Sequence, residues 1–416
     1  MKAFITGISG QDGSFLAELL VSKGYEVHGM IRRISQPNFS NISAIINQVT
    51  LHTGDMQDSP SLFRIIKEVK PNEIYNLAAM SQVRDSYDNP EVTHDINAIG
   101  LLRILESVKT LGLARKTRIY QACSSEMFGR VQETPQTEKT PFYPRSPYGA
   151  SKVAAYNLAR LYREAYGLKV YCGILFNHES PRRGEAFLSR KVAKGVAEIA
   201  RGLSKKITLG NLDAKRDWGY AKEYVQWIWE IIQHPNPDDF VIATGENHSV
   251  REFVTAAFLH VGISDWEKYV EIDKSLLRPA EVYELKGDYS KSKKLLGFEP
   301  KVTFKELVRI MVQAELDKIS TVHNDERRIL QSFPEAKLIE AHKDCELGNH
   351  YHKIRDEYFV LLDGDAQCVN GRSTSDMLIG EIIHIPHGKR HTFKLSKGTK
   401  LIGLSTHPYD PSDVYK

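Results

Sequence analysis

The strongest constraint on this chain lies in its first 23 residues. A short apolar run, Ala3 to Thr6, leads into Gly7-Ile8-Ser9-Gly10-Gln11-Asp12-Gly13, and Ser14 to Lys23 then reads as a helix. Strand, Gly-x-x-Gly-x-x-Gly and helix, in that order, are the setting in which a glycine motif rises above a mere turn. The glycines let backbone amides approach a pyrophosphate, and the positive end of the helix faces its charge. Gly7, Gly10, Gln11, Asp12 and Gly13 are therefore expected against a dinucleotide.

The following residues continue the pattern. Glu26 to Ile31 reads as a second strand. A free ribose 2′-hydroxyl calls for an acid at its end. Arg32 and Arg33 stand there instead, and guanidinium groups suit a 2′-phosphate, so the expected cofactor is NADP. Val49 to Thr53 is a strand leading to Gly54-Asp55-Met56, with Asp55 available to the adenine amine. Ser59 to Val69 carries Leu62, Ile65, Ile66 and Val69 at helical spacing. Glu73 to Leu77 is a strand running into Ala78-Ala79-Met80-Ser81, where small residues let the dinucleotide pass, and Pro90 to Leu111 reads as one long helix. Strands alternating with helices imply a doubly wound, Rossmann-type parallel sheet with ligands at the carboxyl ends of the strands.

The chemistry concentrates between Gln121 and Lys152. Tyr148 and Lys152 are four apart at a helix start and share a face. An ammonium beside a phenol favours the phenolate, so Tyr148 is expected to have a lowered pKa and to act as a general base. Such a pair is common on helices and gains meaning only from the dinucleotide site upstream. Ser124 and Glu126 alternate with Ser125 after the apolar run Arg118 to Ala122, which places both on one side of the sheet. A carboxylate, a hydroxyl and an activated Tyr together can do acid–base work on a polyol.

From Val170 to Phe176 runs another strand, ending in Asn177-His178-Glu179-Ser180-Pro181-Arg182-Arg183-Gly184. Arg190-Lys191, the Gly210 to Trp218 segment with Arg216, Arg251, and Arg278-Pro279-Ala280-Glu281-Val282 follow. Each basic loop alone reads as a solvated face; together, downstream of a cofactor fold, they suit a diphosphate and point to a nucleotide sugar.

Composition narrows the class. With 416 residues and a net charge of +4, the chain accommodates two or three domains and carries no basic footprint for nucleic acid. Cys123, Cys172, Cys345 and Cys368 lack paired spacing and read as reduced thiols, and no apolar run reaches membrane length, so a cytoplasmic location without membrane contact is expected.

Residues 1 to about 318 resemble the GDP-mannose 4,6-dehydratases of the extended short-chain dehydrogenase/reductase superfamily. The resemblance rests on Gly-Ile-Ser-Gly-Gln-Asp-Gly at 7–13, Tyr-Pro-Arg-Ser-Pro-Tyr-Gly at 143–149, Asn-His-Glu-Ser-Pro-Arg-Arg-Gly at 177–184, Leu-Asp-Ala-Lys-Arg-Asp-Trp-Gly at 212–219 and Arg-Pro-Ala-Glu-Val at 278–282. It implies Ser124, Glu126, Tyr148 and Lys152 as the catalytic set. It also implies a cofactor held by Gly7, Gly10, Gln11, Asp12, Gly13, Arg32, Asp55, Met56, Leu77, Ala79, Ser81, Tyr148, Lys152, His178 and Arg183. Asn177, Lys191, Arg216, Arg251, Arg278 and Glu281 are then the contacts to a GDP-sugar, and a homodimer or homotetramer is expected by analogy. The chain departs from the family pattern at Ser124, where Thr is usual, and at Met80, Ala186 and Tyr220, where Gln, Asn and His are usual. The Met80 and Ala186 departures bear on which hexose is accepted. An epimerase or reductase on another nucleotide sugar, or a cofactor-bound regulatory or carbohydrate-binding protein, is the rival; the Tyr, Lys, Glu and Ser set argues against the last.

The dehydratase-like unit is expected to span 1–319, followed by a polar linker over 320–332 and a second module over 333–416. That module carries Gly348-x-His350-x-His352-x₄-Glu357-x₆-Gly364 and Gly380-x₅-Pro386-x-Gly388-x₂-His391. It resembles both motifs of a cupin, a small all-β barrel. His350 and His352 alternate on a strand and, with Glu357 and His391, form a set suited to a divalent transition metal. Gly348-Asn349-His350-Tyr351-His352-Lys353 equally resembles metal-free sugar-nucleotide 3,4-ketoisomerases, in which paired histidines serve as acid and base. A structural or dimerising barrel is the third reading.

Overall fold

The computed structural model describes residues 1–33, 38–332, 335–353, 356–370, 373–406 and 414–415; the side chains of 320–332, 335–337, 348–351 and 414–415 lie outside the description. The chain divides into two compact units, Met1–Asp317 and Lys318–Lys416.

The first unit is built on a seven-stranded parallel sheet. Its strands lie in the order Asp239–Ile242, Lys169–Leu175, Arg118–Ser124, Glu73–Asn76, Lys2–Thr6, Glu26–Ile31, Val49–Thr53. The strands read as apolar runs because both faces are covered. Phe4, Ile74, Ile119 and Val170 enter one core with the helices Ser59–Val69, Gly100–Thr110 and Pro147–Tyr166. Their neighbours Ile5, Tyr75, Tyr120 and Tyr171 enter the other, against the helices Gln11–Ser22 and Ala221–Gln233. Tyr75, Tyr120 and Tyr171 form one cross-strand row. Gly173 makes room for it: a Cβ there would lie 2.2 Å from the Tyr120 hydroxyl. A third core, around Trp218, Phe253 and Phe258, supports a smaller subdomain.

Two helices differ from expectation. The stretch Pro90 to Leu111 is helix Pro90–His94, a π-helical turn Asp95–Ile99 and helix Gly100–Thr110. In the π turn, buried Asn97 accepts from the Met80 amide and donates to the Met80 carbonyl and the Ser151 hydroxyl. The helix expected to end at Lys318 runs from Phe304 to Ser332, through the stretch taken as a linker. Residues 319–332 contain neither Gly nor Pro, and the first breaker is Pro334.

The second unit is all-β. One antiparallel sheet orders Glu335–Glu340, Lys400–Ser405, Glu357–Asp363, Ile382–Ile385; the other orders Ser373–Asp376, Ala366–Asn370, His391–Leu395, Cys345–His352, Val414–Tyr415. Phe359, Leu361, Ile385 and Leu401 of the first sheet share one apolar cluster with Ala366, Cys368, Phe393 and Leu395 of the second.

Candidate active site

At the carboxyl end of the strand Lys2–Thr6, Gly7 takes φ +73°, a left-handed conformation suited to glycine. A Cβ on Gly13 would lie 2.2 Å from the Gly7 carbonyl oxygen, so the helix can start this close to the turn only with glycine there. The turn is strapped to the loop after the Lys169–Leu175 strand. Asp12 Oδ2 lies 2.9 Å from His178 Nε2, Gln11 donates to Asp12 Oδ1 and to the His178 carbonyl, and Ser180 donates to Gln11 Oε1. Burial pushes the Asp12 carboxyl up, but His178 and Gln11 outweigh it and hold the group at about 2. Burial lowers the His178 pKa and Asp12 more than restores it, leaving it raised.

The next strand edge carries the acid–base groups. Strand Arg118–Ser124 stops at Ser124, whose hydroxyl accepts from the Glu126 amide at 3.2 Å and caps the short 3₁₀ turn Ser125–Met127. Glu126 thus reaches the site from this turn and not by strand alternation. Helix Pro147–Tyr166 begins with proline in its first turn and Ser146 capping the Gly149 amide at 3.0 Å. Its Tyr148 amide donates to Ser86 Oγ at 3.2 Å. Gly149 is required there, since a Cβ would meet the Glu126 carbonyl oxygen at 2.6 Å.

The Tyr148–Lys152 pair corrects the expectation of a lowered phenol pKa. Lys152 Nζ donates to the Ala122 carbonyl at 2.9 Å and stands 5.8 Å from the Tyr148 ring centre. Burial therefore wins, and Tyr148 is pushed up to about 12 despite a hydrogen bond from Ser124 that favours the phenolate. The same burial pushes Lys152 down to about 8.

A cavity of about 810 Å³ joins these groups to the glycine turn. It is lined by Ser124, Glu126, Tyr148 and Lys152, and by Gly7, Gly10, Gln11, Asp12, Gly13, Arg32, Asp55, Met56, Leu77, Ala79, Ser81, His178 and Arg183. Asn177, Lys191, Arg216, Arg278 and Glu281 line it as well. Arg251 does not: its side chain is half exposed and pairs with Asp213 at 3.0 Å. Met80 and Ala186 are in the wall. Arg32 faces this space, whereas Arg33 is not in the lining.

Three positions escaped sequence reasoning. Ser86 and Asn97 fix Tyr148 and the Met80 wall from far along the chain, and Asn41 lines the cavity while donating to the Ser9 carbonyl at 3.0 Å. No local motif marks any of them.

Residues 4–311 match the GDP-mannose 4,6 dehydratase family. The chain belongs to that family. The GDP-mannose 4,6 dehydratase of Homo sapiens is 51% identical over 346 residues, covering 77% of this chain and 93% of its own length. That of Vibrio cholerae is 47% identical over 355 residues, covering 77% and 95%. Among solved structures, the UDP-glucose 4-epimerase of Thermus thermophilus with NAD superposes at TM-score 0.67 and 25% identity, over 76% of this chain and 99% of its own. The dTDP-glucose 4,6-dehydratase of Bacillus anthracis with NAD shares the fold at TM-score 0.67 and 23% identity, over 77% and 98%. The first unit is thus an enzyme of the dehydratase class within the short-chain dehydrogenase/reductase fold.

The family match stops before the second unit, which has a polar cluster of its own. Glu357, at a strand start, reaches His352 Nε2 with Oε1 at 3.3 Å and His391 Nε2 with Oε2 at 3.0 Å. Both histidines are only 2% exposed. The His350 side chain lies outside the described residues. The two imidazole Nε2 atoms thus face the two oxygens of one carboxylate, with the ring centres 6.2 Å apart. Among the described residues no group of three or more His, Cys, Asp or Glu is placed to hold a metal ion; the expected four-ligand set includes His350, whose side chain lies outside them. Among the described residues no helix is long and apolar enough to cross a membrane.

Proposed function

We propose that the first unit is an NADP-dependent GDP-mannose 4,6-dehydratase giving GDP-4-keto-6-deoxymannose. The observation that carries this reading is the convergence of Ser124, Glu126 and Tyr148 in one cavity with the glycine turn on one side and Arg216, Arg278 and Lys191 on the other. The residues fit NADP. The close turn at Gly7 and Gly13 would receive the pyrophosphate, Asp55 would meet the adenine, Arg32 would offer a guanidinium to a 2′-phosphate, and Lys152 would hold the nicotinamide ribose; all line the cavity. Bound NADP supplies an acceptor for a hydride that it later returns to the same sugar.

The chain's own groups do the rest. Tyr148 takes the proton of the sugar 4-hydroxyl, and Ser124 holds the C4 oxygen by a hydrogen bond. The 4-ketone acidifies C5; Glu126 removes that proton and passes it to the C6 hydroxyl, which leaves as water, and the proton held by Tyr148 then returns to C5. Lys191, Arg216 and Arg278 bind the diphosphate, and Asn177 and Glu281 orient the remainder of the nucleotide sugar. Incubation of the purified protein with GDP-mannose, with product mass and NMR, tests the assignment. Loss of one water without net consumption of NADPH is expected; net NADPH oxidation, or epimerisation alone, overturns it.

For the second unit the metal-free reading has the better support. Glu357 standing 3.3 and 3.0 Å from the Nε2 atoms of two buried imidazoles is an acid–base arrangement, since a proton can be exchanged between the carboxylate and either ring. A cupin of this kind acts on the keto-sugar made by the first unit, moving the carbonyl to C3 or inverting an adjacent centre. The full-length protein then yields an isomer of the simple 4-keto product, and the His352→Ala, His391→Ala double variant stops at the 4-keto compound. One product from both proteins would exclude the second activity.

A further inference from the structure

The proposed C5 base does not stand alone beside its substrate. Glu126 is 7% exposed, and its Oε1 lies 3.1 Å from Arg278 Nη1 and 3.8 Å from Arg216 Nη2. Burial raises the carboxyl pKa, but Arg278 and then Arg216 outweigh it and hold the group below its ordinary value. A carboxylate so held is a weak base. Arg216 Nη2 also lies 3.8 Å from Glu281 Oε1, while Arg216 Nη1 donates to the carbonyls of Lys215 at 2.9 Å and Val282 at 2.8 Å. Two guanidiniums and two carboxylates therefore already balance within this cluster.

A diphosphate wants what Glu126 holds. Carboxylate and phosphate oxygens match the same planar N–H fork, and neither can share it fully in a site closed to water. Arg216 is tied by its backbone bonds and cannot withdraw far; Arg278, on an irregular loop and a quarter exposed on its side chain, can turn. We infer that Glu126 and the substrate diphosphate compete for Arg278 and Arg216, so that the base is released for catalysis only when a nucleoside diphosphate is seated. This rests on the reading that these two arginines bind the diphosphate. It makes the nucleotide a switch: a sugar lacking it would meet a base still locked in its ion pair, and remote binding would be converted into reactivity at C5.

Reciprocity gives a sharp test. If seating the diphosphate removes an opposite charge from Glu126, the carboxyl pKa rises by about 1–3 units, and a neutral residue at 126 must tighten the diphosphate by the same factor, roughly ten- to a thousandfold. The probe is GDP, titrated calorimetrically near pH 8 into the NADP-loaded full-length protein. Glu126→Gln and Glu126→Ala should each bind GDP at least about tenfold more tightly than the natural protein, although both lose turnover. Arg278→Met should weaken GDP by at least about tenfold. If Arg278→Met weakens GDP but both Glu126 variants bind it no better than the natural protein, the competition is refuted and the diphosphate site stands. If Arg278→Met and Arg216→Met both leave GDP binding unchanged, the diphosphate is not held there, and the inference falls together with that reading. Circular dichroism and retained NADP identify a variant that binds poorly because it is misfolded; the paired Gln and Ala variants keep the question open to decision if one of them misfolds.

Discussion

Asp12→Asn should weaken the first unit by about 1–2 kcal/mol near pH 5–6, and the penalty should depend on pH. The carboxyl is drawn from 3.8 to about 2 by His178 and Gln11 in spite of its burial. A shift of that size corresponds to about 2 kcal/mol, and an amide that keeps part of the hydrogen bonding retains a share of it. The pair has two limbs of opposite sign. Asp12 has a depressed pKa, so its contribution is complete above 3.8 and fades as pH falls towards about 2. His178 has a raised pKa, so its contribution is complete below 6.5 and fades as pH rises through its folded value. The difference between natural and variant protein should be greatest between about pH 4 and 6.5 and shrink towards pH 9. All four tryptophans, Trp218, Trp227, Trp229 and Trp266, lie in the first unit, so urea unfolding followed by Trp fluorescence reports that unit alone. A penalty of constant size from pH 5 to 9, or none at pH 5.5, would refute the ion pair as the strap between the glycine turn and the 177–180 loop.

The other expectations are shorter. Arg32→Ala should weaken NADP roughly ten- to a hundredfold and leave NAD nearly unchanged, because a charge-assisted pair to the 2′-phosphate is lost; Arg33→Ala, outside the cavity lining, should do little; equal losses for both cofactors in competition titrations would remove the 2′-phosphate assignment. Tyr148→Phe should cut kcat by about 10²–10⁴ with GDP affinity kept, measured by steady-state rates and calorimetry, whereas a parallel loss of GDP binding would make the hydroxyl a binding group. A chain ending after Ser332, which preserves the whole terminal helix, should retain dehydratase turnover, and an insoluble or inactive product would mean that the second unit completes the first.

The parallel sheet was legible because burial on both faces writes itself into the strands. Phe4-Ile5, Ile74-Tyr75, Ile119-Tyr120 and Val170-Tyr171 alternate between two cores. The glycine turn was legible because Gly7 and Gly13 answer geometric demands made by residues within the same motif. What depended on distant partners was not legible. Ser86 and Asn97 act across 62 and 17 positions, and spacing carries no trace of such bonds. Arg251 pairs with Asp213, 38 positions away, a contact that its own local sequence does not announce. The histidine spacing of the second unit was legible, but the approach of Glu357 to His352 and His391 Nε2 depends on packing that spacing does not express.

The same limit explains the misjudged phenol, and it says something about how the site works. Spacing put Lys152 beside Tyr148 and so implied an easily ionised phenol; enclosure, which spacing cannot express, pushes Tyr148 to about 12 and Lys152 to about 8. Glu126 is displaced the other way, held low by Arg278 and Arg216. With protein groups alone, the phenol ionises less readily and the carboxylate is less basic than the free groups would be. On the function proposed here, each would be corrected by charge that a bound molecule carries: a cationic nicotinamide would favour the phenolate, and a diphosphate would draw the guanidiniums from the carboxylate. Enclosure has the further effect of strengthening both corrections, because water screens them little there. A site tuned in this way holds both transfers back until cofactor and nucleotide sugar are in place together, which protects a reactive keto-sugar route from starting on the wrong partner. The burial that weakens Tyr148 as an acid is on this account the source of its selectivity.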